Sequence, residues 1–399
     1  MQQQTFVIVG ASLAGAKAAE TLRSEGYDGR VVLLGAESER PYERPPLSKE
    51  YLRGEAGREK VYVHEDGFYE ENEIDLRLRT SVAAIDASAR EAVLDSGERI
   101  AFDRLLLATG ATPRKLEVPG HDLEGIHYLR DVEDSDLLRS RLDAGRGHVA
   151  VIGAGWIGAE VAASARMKGL DVTLVEMTEL PLERVLGREL GEIYRDIHIE
   201  HGVDFRGGVA LERFEGGTAV ERVVLADGTV IECDFVVVGV GVMPRVQVAE
   251  ASGIAVDNGV LVDEKLETSV PGVFAAGDVA NAWHPFFEER IRVEHWANAL
   301  NQGPAAARNM LGAGEPYERL PYFFSDQYDV GMEYSGHAVG WDEVVFDGDV
   351  AAREFIAYWL RRGRVVAGMN VNVWDVNEKI QEQIRSGVRT PAGASRETP

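Results

Sequence analysis

Two glycine clusters dominate the chemistry available to this sequence: Gly10-x-Ser12-x-x-Gly15, and Gly153-x-Gly155-x-x-Gly158. Each follows a short apolar run (Thr5 to Val9, His148 to Ile152) and opens a segment patterned as a helix. In such a strand–turn–helix setting the first glycine permits a tight turn. The second lets the backbone approach a pyrophosphate, and the third allows close packing of helix on strand. The second cluster is complete, whereas the first carries Ser12 at the middle position. Both are followed, about 20 residues on, by an acid at the end of the next apolar run, Glu37 and Glu176, the position from which a carboxylate holds ribose hydroxyls. Glu176 would also repel a 2′-phosphate, so NADH is expected over NADPH. The two clusters read as a duplicated βαβ nucleotide-binding unit.

A chain with two such sites must return to the first after building the second. Thr268 to Val279, TSVPGVFAAGDV, is the candidate for that return. Val270 to Ala276 reads as a buried strand, Gly277 allows close approach to a ligand, and Asp278 offers an acceptor for a sugar or ribityl hydroxyl. Between the clusters, Pro45-Pro46 stiffens the chain before Ser48 and Lys49, which could aim the Lys49 ammonium into a site. Farther on, Glu294, His295 and Trp296 form a polar–aromatic cluster at an expected helix start. His295 has no second histidine at helical spacing, which argues against a metal there.

Composition narrows the function. With 399 residues, two to three domains are expected, and a formal charge of -25 argues against nucleic acid and against an anionic membrane surface. No apolar run approaches the ~18 residues of a membrane span. The amino terminus shows no signal-peptide pattern, so a cytoplasmic location is expected. Cys233 is the only cysteine. It sits in an apolar strand context and reads as a small buried residue, leaving no redox pair and no cysteine metal site. From Tyr322 onward the pattern changes to antiparallel strands with glycine turns, followed by a helix over 376–384.

The stretches GASLAG, RPYERPPLSK, LLLATGATPR, VIGAGWIGAEVAA, VFAAGDV, EHWANALNQG and YFFSDQYD together resemble the FAD-dependent, NADH-linked ferredoxin reductases of bacterial oxygenase systems. The resemblance spans residues 5–385. It implies an α/β fold similar to glutathione reductase, with two Rossmann-like nucleotide-binding domains and a small α+β C-terminal domain. The expected boundaries are 1–112 with 245–320 for a discontinuous FAD domain, 113–244 for NADH, 321–385 for the C-terminal domain and 386–399 for a flexible tail. By motif, Gly10, Ser12, Gly15, Glu37, Arg44, Lys49, Thr109, Gly110, Arg130, Gly277, Asp278, His295 and Trp296 would hold or line FAD. Gly153, Gly155, Ile157, Gly158, Glu160, Glu176 and Gly241 would hold NADH. Lys49 and Glu160 would pair in catalysis near flavin N5. Phe324 stands where many relatives carry tryptophan.

The implied activity is hydride uptake from NADH and release of single electrons to a two-iron two-sulfur ferredoxin, and through it to an oxygenase. The protein would be a monomer or weak homodimer. Arg290, Arg292, Arg308 and Arg319 could offer an otherwise acidic molecule a basic patch for that partner. An NADH oxidase or quinone reductase without a protein partner, or a redox-sensing protein resembling apoptosis-inducing factor, are the competing readings. The lone cysteine already excludes an outlet through a disulfide.

Overall fold

The computed structural model describes residues 4–389. They form two compact units. The first takes the chain up to Glu43, Arg58–Thr112 and Met243–Pro321; the second takes Arg44–Gly57, Pro113–Val242 and the chain from Tyr322 onward.

The first unit is built on a five-stranded parallel sheet in the order Val273–Ala275, Arg104–Leu107, Thr5–Val9, Arg30–Leu34 and Ile74–Arg77. Its central strands are near-continuous apolar runs because parallel strands are covered on both faces; Val7, Ile8, Val31 to Leu33, Leu105 and Leu106 are fully buried. Two helices, Leu13–Ser24 and Trp296–Met310, pack backbone to backbone. A Cβ on Gly303 would stand 2.2 Å from the Ala14 carbonyl oxygen, which only glycine allows. The return strand is shorter than the sequence suggests. Pro271 and Gly272 (φ +80°) turn the chain just before it, so only Val273–Ala275 pairs.

The second unit repeats the scheme. Its parallel sheet runs Asp204–Arg206, Asp171–Val175, His148–Ile152, Phe235–Val238 and Ile126–Tyr128. The same unit contains the C-terminal antiparallel sheet of Tyr322–Gln327, Val330–Gly336, Arg364–Val371, Glu354–Arg361 and Glu343–Asp349, with the helix Asn377–Ser386. Phe355, Trp359 and Met369 of that sheet share one core with Leu186, Leu190 and Tyr194, and the Trp359 indole donates to the Leu186 carbonyl at 3.0 Å.

The expected tail starts inside described structure. Ser386 ends a helix, and Arg389 bridges Arg364; the rest of that expectation, 390–399, lies outside the described residues. Among the described residues no helix is long and apolar enough to cross a membrane.

Candidate functional site: two nucleotide cradles and a buried ion pair

In the first unit, strand Thr5–Val9 ends at Gly10, whose φ of +121° and close crossing of the neighbouring strand exclude a side chain. A Cβ there would lie 2.0 Å from the Ala108 carbonyl oxygen, and one on Gly15 would lie 1.9 Å from the Gly10 carbonyl oxygen. Ser12 is the N-cap residue of the following helix. Its backbone is extended and its hydroxyl caps none of the first-turn N–H groups, so these remain directed at whatever the loop holds. Gly277 closes the same cradle: an added Cβ would meet the Ala14 and Ala299 Cβ atoms at 3.3 and 3.8 Å, and its N–H donates to Gln302 Oε1 at 2.9 Å.

Around the cradle, the Glu37 carboxylate accepts from the Tyr42 hydroxyl. Thr109 donates to the Arg245 carbonyl at 2.8 Å, and the Gly110 carbonyl accepts from Arg245 N. The Asp278 carbonyl accepts from Arg292. His295 is the N-cap residue of the Trp296–Met310 helix without capping it through its side chain, and burial holds its imidazole down at about 4, hence neutral near pH 7. Of the four arginines proposed as a basic patch, Arg292 is paired with Glu294 and Arg308 with Glu25, while Arg290 donates to two backbone carbonyls. The two ion pairs offset part of the positive charge that the sequence suggests.

The second unit's cradle follows the same rules. Gly153 has φ +97° and stands against the Gly239 carbonyl oxygen, and a Cβ on Gly158 would lie 1.9 Å from the Gly153 carbonyl oxygen. Gly155 differs. Its φ of -74° suits any residue, and a Cβ there would meet no protein atom within 4 Å. Glu176 is held by backbone alone, accepting from Ala154 N (2.7 Å), Met177 N (2.8 Å) and Thr178 N (3.1 Å). Ile157 stands exposed on the first helical turn. The Gly241 carbonyl accepts from Arg114 N at 2.9 Å.

The same helix, Trp156–Met167, carries Glu160 inward. Lys49 Nζ lies 2.9 Å from Glu160 Oε2, with both side chains about 5% exposed. Two hydroxyls complete the carboxylate's partners: Ser48 Oγ at 2.5 Å from Oε2, from a residue the sequence marks only as Lys49's neighbour, and Ser325 Oγ at 2.7 Å from Oε1, which the sequence does not mark at all. The chain delivers Ser48 and Lys49 through a Pro45–Ser48 turn pinned at its carbonyls, Leu47 by Ser135 and Ser48 by Ser164. Lys49 Nζ is also 5.6 Å from the Phe324 ring centroid. Arg44 donates to the Arg130 carbonyl. Arg44, Lys49 and Arg130, expected to line FAD, thus belong to the second unit together with Glu160.

Cys233 is buried in the second unit, and desolvation pushes its thiol up to about 12. It is no thiolate near neutral pH. Among the described residues there is no cluster able to hold a metal ion.

Two strand–turn–helix cradles, each shaped so that only glycine fits its first and third positions, and a buried lysine–glutamate pair fit a two-nucleotide oxidoreductase. Residues 4–303 match the pyridine nucleotide–disulphide oxidoreductase family, and residues 322–396 match the reductase C-terminal family. The ferredoxin–NAD(+) reductase component of the anthranilate 1,2-dioxygenase system of Burkholderia cepacia is 38% identical over 94% of this chain and 92% of its own length. Putidaredoxin reductase of Pseudomonas putida is 37% identical over 92% of this chain and 88% of its own.

Among solved structures, the ferredoxin reductase of the CYP199A2 system from Rhodopseudomonas palustris superimposes with a TM-score of 0.93 at 37% identity, covering 97% of this chain and 96% of that one. The covalent putidaredoxin reductase–putidaredoxin complex gives 0.92 at 36% identity, over 97% and 94%. The chain belongs to the pyridine nucleotide–disulphide oxidoreductase family, and within it to the ferredoxin reductases. It is a flavoprotein oxidoreductase using FAD and NAD(H). Although the family is named for disulphides, this sequence has one cysteine and so no internal disulphide to exchange.

Proposed function

We propose that the protein takes hydride from NADH and passes single electrons to a two-iron two-sulfur ferredoxin, and through it to an oxygenase, in the cytoplasm. The observation that carries this reading is a pair of dinucleotide cradles in a chain whose only thiol is buried and protonated. Electrons entering from NADH have no protein-borne relay, so they leave from the flavin directly to an external acceptor. FAD supplies the conversion between a two-electron hydride and single electrons.

The chain's own residues bind and orient. Gly10, Ser12, Gly15, Gly277 and the amino end of the Leu13–Ser24 helix would hold the FAD pyrophosphate. Glu37 and Asp278 would take its hydroxyls, and Thr109, Gly110, Arg44, Arg130, His295 and Trp296 would line the rest. Gly153, Gly155, Ile157, Gly158 and Gly241 would hold NADH. Glu176, fixed by three N–H groups, would accept from an adenosine-ribose hydroxyl and turn away a 2′-phosphate. Lys49 would supply a positive charge where negative charge develops during hydride transfer, and Glu160 would fix that ammonium's position.

The decisive experiment is NADH-driven cytochrome c reduction with and without a two-iron two-sulfur ferredoxin. Strong stimulation is expected. Rapid oxygen or quinone consumption with no ferredoxin effect would replace this reading with a partner-free oxidase or quinone reductase. Slow reoxidation with NADH-dependent dimerisation would point instead to a redox-sensing role.

A further inference from the structure

Glu160 is the end of a longer buried chain of hydrogen bonds. Beyond Ser325, Gln327 lies two residues along the same strand and therefore on the same face. Its Nε2 is 3.4 Å from Ser325 Oγ, and its Oε1 is 3.0 Å from His198 Nε2. His198 Nδ1 is in turn 3.1 Å from the Tyr328 hydroxyl. Ser325, Gln327 and His198 are all 2% exposed or less.

The donors of this chain all point one way. An ionised carboxylate only accepts, so Ser325 donates to Glu160 and its oxygen is left to accept from the Gln327 amide N–H. The Gln327 oxygen accepts, which places the His198 proton on Nε2 and leaves Nδ1 to accept from Tyr328. That pattern requires a neutral imidazole. Burial supplies it, holding His198 at about 4. An amide in the middle of the chain does not hand on a proton by a simple hop, so the arrangement is no proton wire. It is a row of fixed dipoles in a dry interior, each strengthening the next.

We propose that Ser325, Gln327 and His198 are positioning residues for the Lys49–Glu160 pair. Their donors hold Glu160 Oε1, so that Oε2 faces Ser48 and Lys49 and the ammonium is fixed with it. The chain ties four separate segments to one carboxylate: Pro45–Ser48 with Lys49, helix Trp156–Met167, helix Arg188–Glu200 and strand Tyr322–Gln327. Its consequence for catalysis rests on the reading that Lys49 and Glu160 act in hydride transfer.

The test combines two measurements on the FAD-loaded enzyme. The first is the infrared carboxylate band of Glu160 in ¹³C-glutamate-labelled protein, assigned by its loss in Glu160→Gln. The second is the rate of flavin reduction by NADH, with the NADH dissociation constant. Ser325→Ala should shift the band and slow reduction about tenfold, with NADH affinity unchanged. Gln327→Met should do the same more weakly, His198→Phe more weakly still, and Ser325→Thr should restore both. An unmoved Glu160 band in Ser325→Ala or, should that variant misfold, in Gln327→Met would overturn the proposal. A shifted band with an unchanged rate would overturn the catalytic part of the proposal, since the hold on Glu160 Oε1 would then not set the rate. Lys49→Met tests the pair's role in hydride transfer independently.

Discussion

The two nucleotide cradles share their outer glycines and differ in the middle. Gly15 and Gly158 face the same obstruction, a carbonyl oxygen 1.9 Å from any added Cβ. Ser12 and Gly155 both have extended backbone with negative φ, and nothing in the protein opposes a side chain at 155. The outer glycines are therefore demanded by the fold, whereas the middle one answers only to the ligand. Their acids differ in the kind of donor shown: Glu37 accepts from the Tyr42 hydroxyl, a side chain, while Glu176 accepts from three backbone N–H groups, one of them from its own cradle. Backbone donors need no side-chain rotamer to be held, so the Glu176 carboxylate is preset by its own loop.

The hardest blow to this comparison is an added methyl at the outer glycines. Gly158→Ala should leave a yellow protein whose NADH affinity falls by about a hundredfold or more, and Gly15→Ala a protein that does not retain FAD. The reason is that backbone on both sides cannot yield without several kcal/mol. Flavin absorbance and NADH titration separate the two; a Gly158→Ala protein with normal NADH affinity would refute the steric argument.

Acid should act on both units. Burial holds His198 in the second unit and His295 in the first at about 4, against 6.5 for a free imidazole. The unfolded chain therefore binds protons that the folded chain refuses. Stability present above pH 6.5 is lost as pH falls toward 4, by roughly 3 kcal/mol for His198 and a similar amount for His295. Denaturation at pH 7.5 and 4.5 should show the loss, reduced in His198→Gln and again in His295→Gln.

Glu176→Ala should lower kcat/KM for NADH about tenfold while narrowing the preference over NADPH, since it removes the ribose acceptor and the charge that rejects a 2′-phosphate. Steady-state assays with both coenzymes decide this, and an unchanged preference would take the discriminating role from Glu176. The smallest effects belong to the middle positions. Gly155→Ser should leave folding stability within ~0.5 kcal/mol and weaken NADH a few-fold. Ser12→Gly should keep FAD and destabilise the apoprotein by ~0.5–1 kcal/mol through backbone entropy. Equal and opposite effects on folding would show that the middle residue serves the loop itself.

Much of this was legible in the residues. Fully buried parallel strands must be apolar throughout, so FVIV, VVLL and HVAVI announced themselves, and each ran into the glycines its turn requires. Val270 was misplaced in the return strand because its apolar side chain outweighed the turn signal of Pro271-Gly272. The hydroxyls on Glu160 were missed because lone serines carry no periodic signal. One clue was present: in YFFSDQ, Phe323 marks the inward face of the strand, and period two then buries Ser325 and Gln327 with it. Polar residues at two successive core positions imply partners waiting inside. Tyr42 on Glu37 and His198 on Gln327 offered no such clue.

The sequence by itself determined the two cradles, their acids and the absence of a thiol outlet. Those follow from local sterics and composition: a φ that only glycine adopts freely, a Cβ that would strike its own turn, a single cysteine. Tertiary structure alone decided what surrounds Glu160. Lys49, Ser48, Ser325 and, through Gln327, His198 reach it from segments far apart in the chain. The direction of every hydrogen bond there depends on which group the fold brings within 3 Å or so of the next.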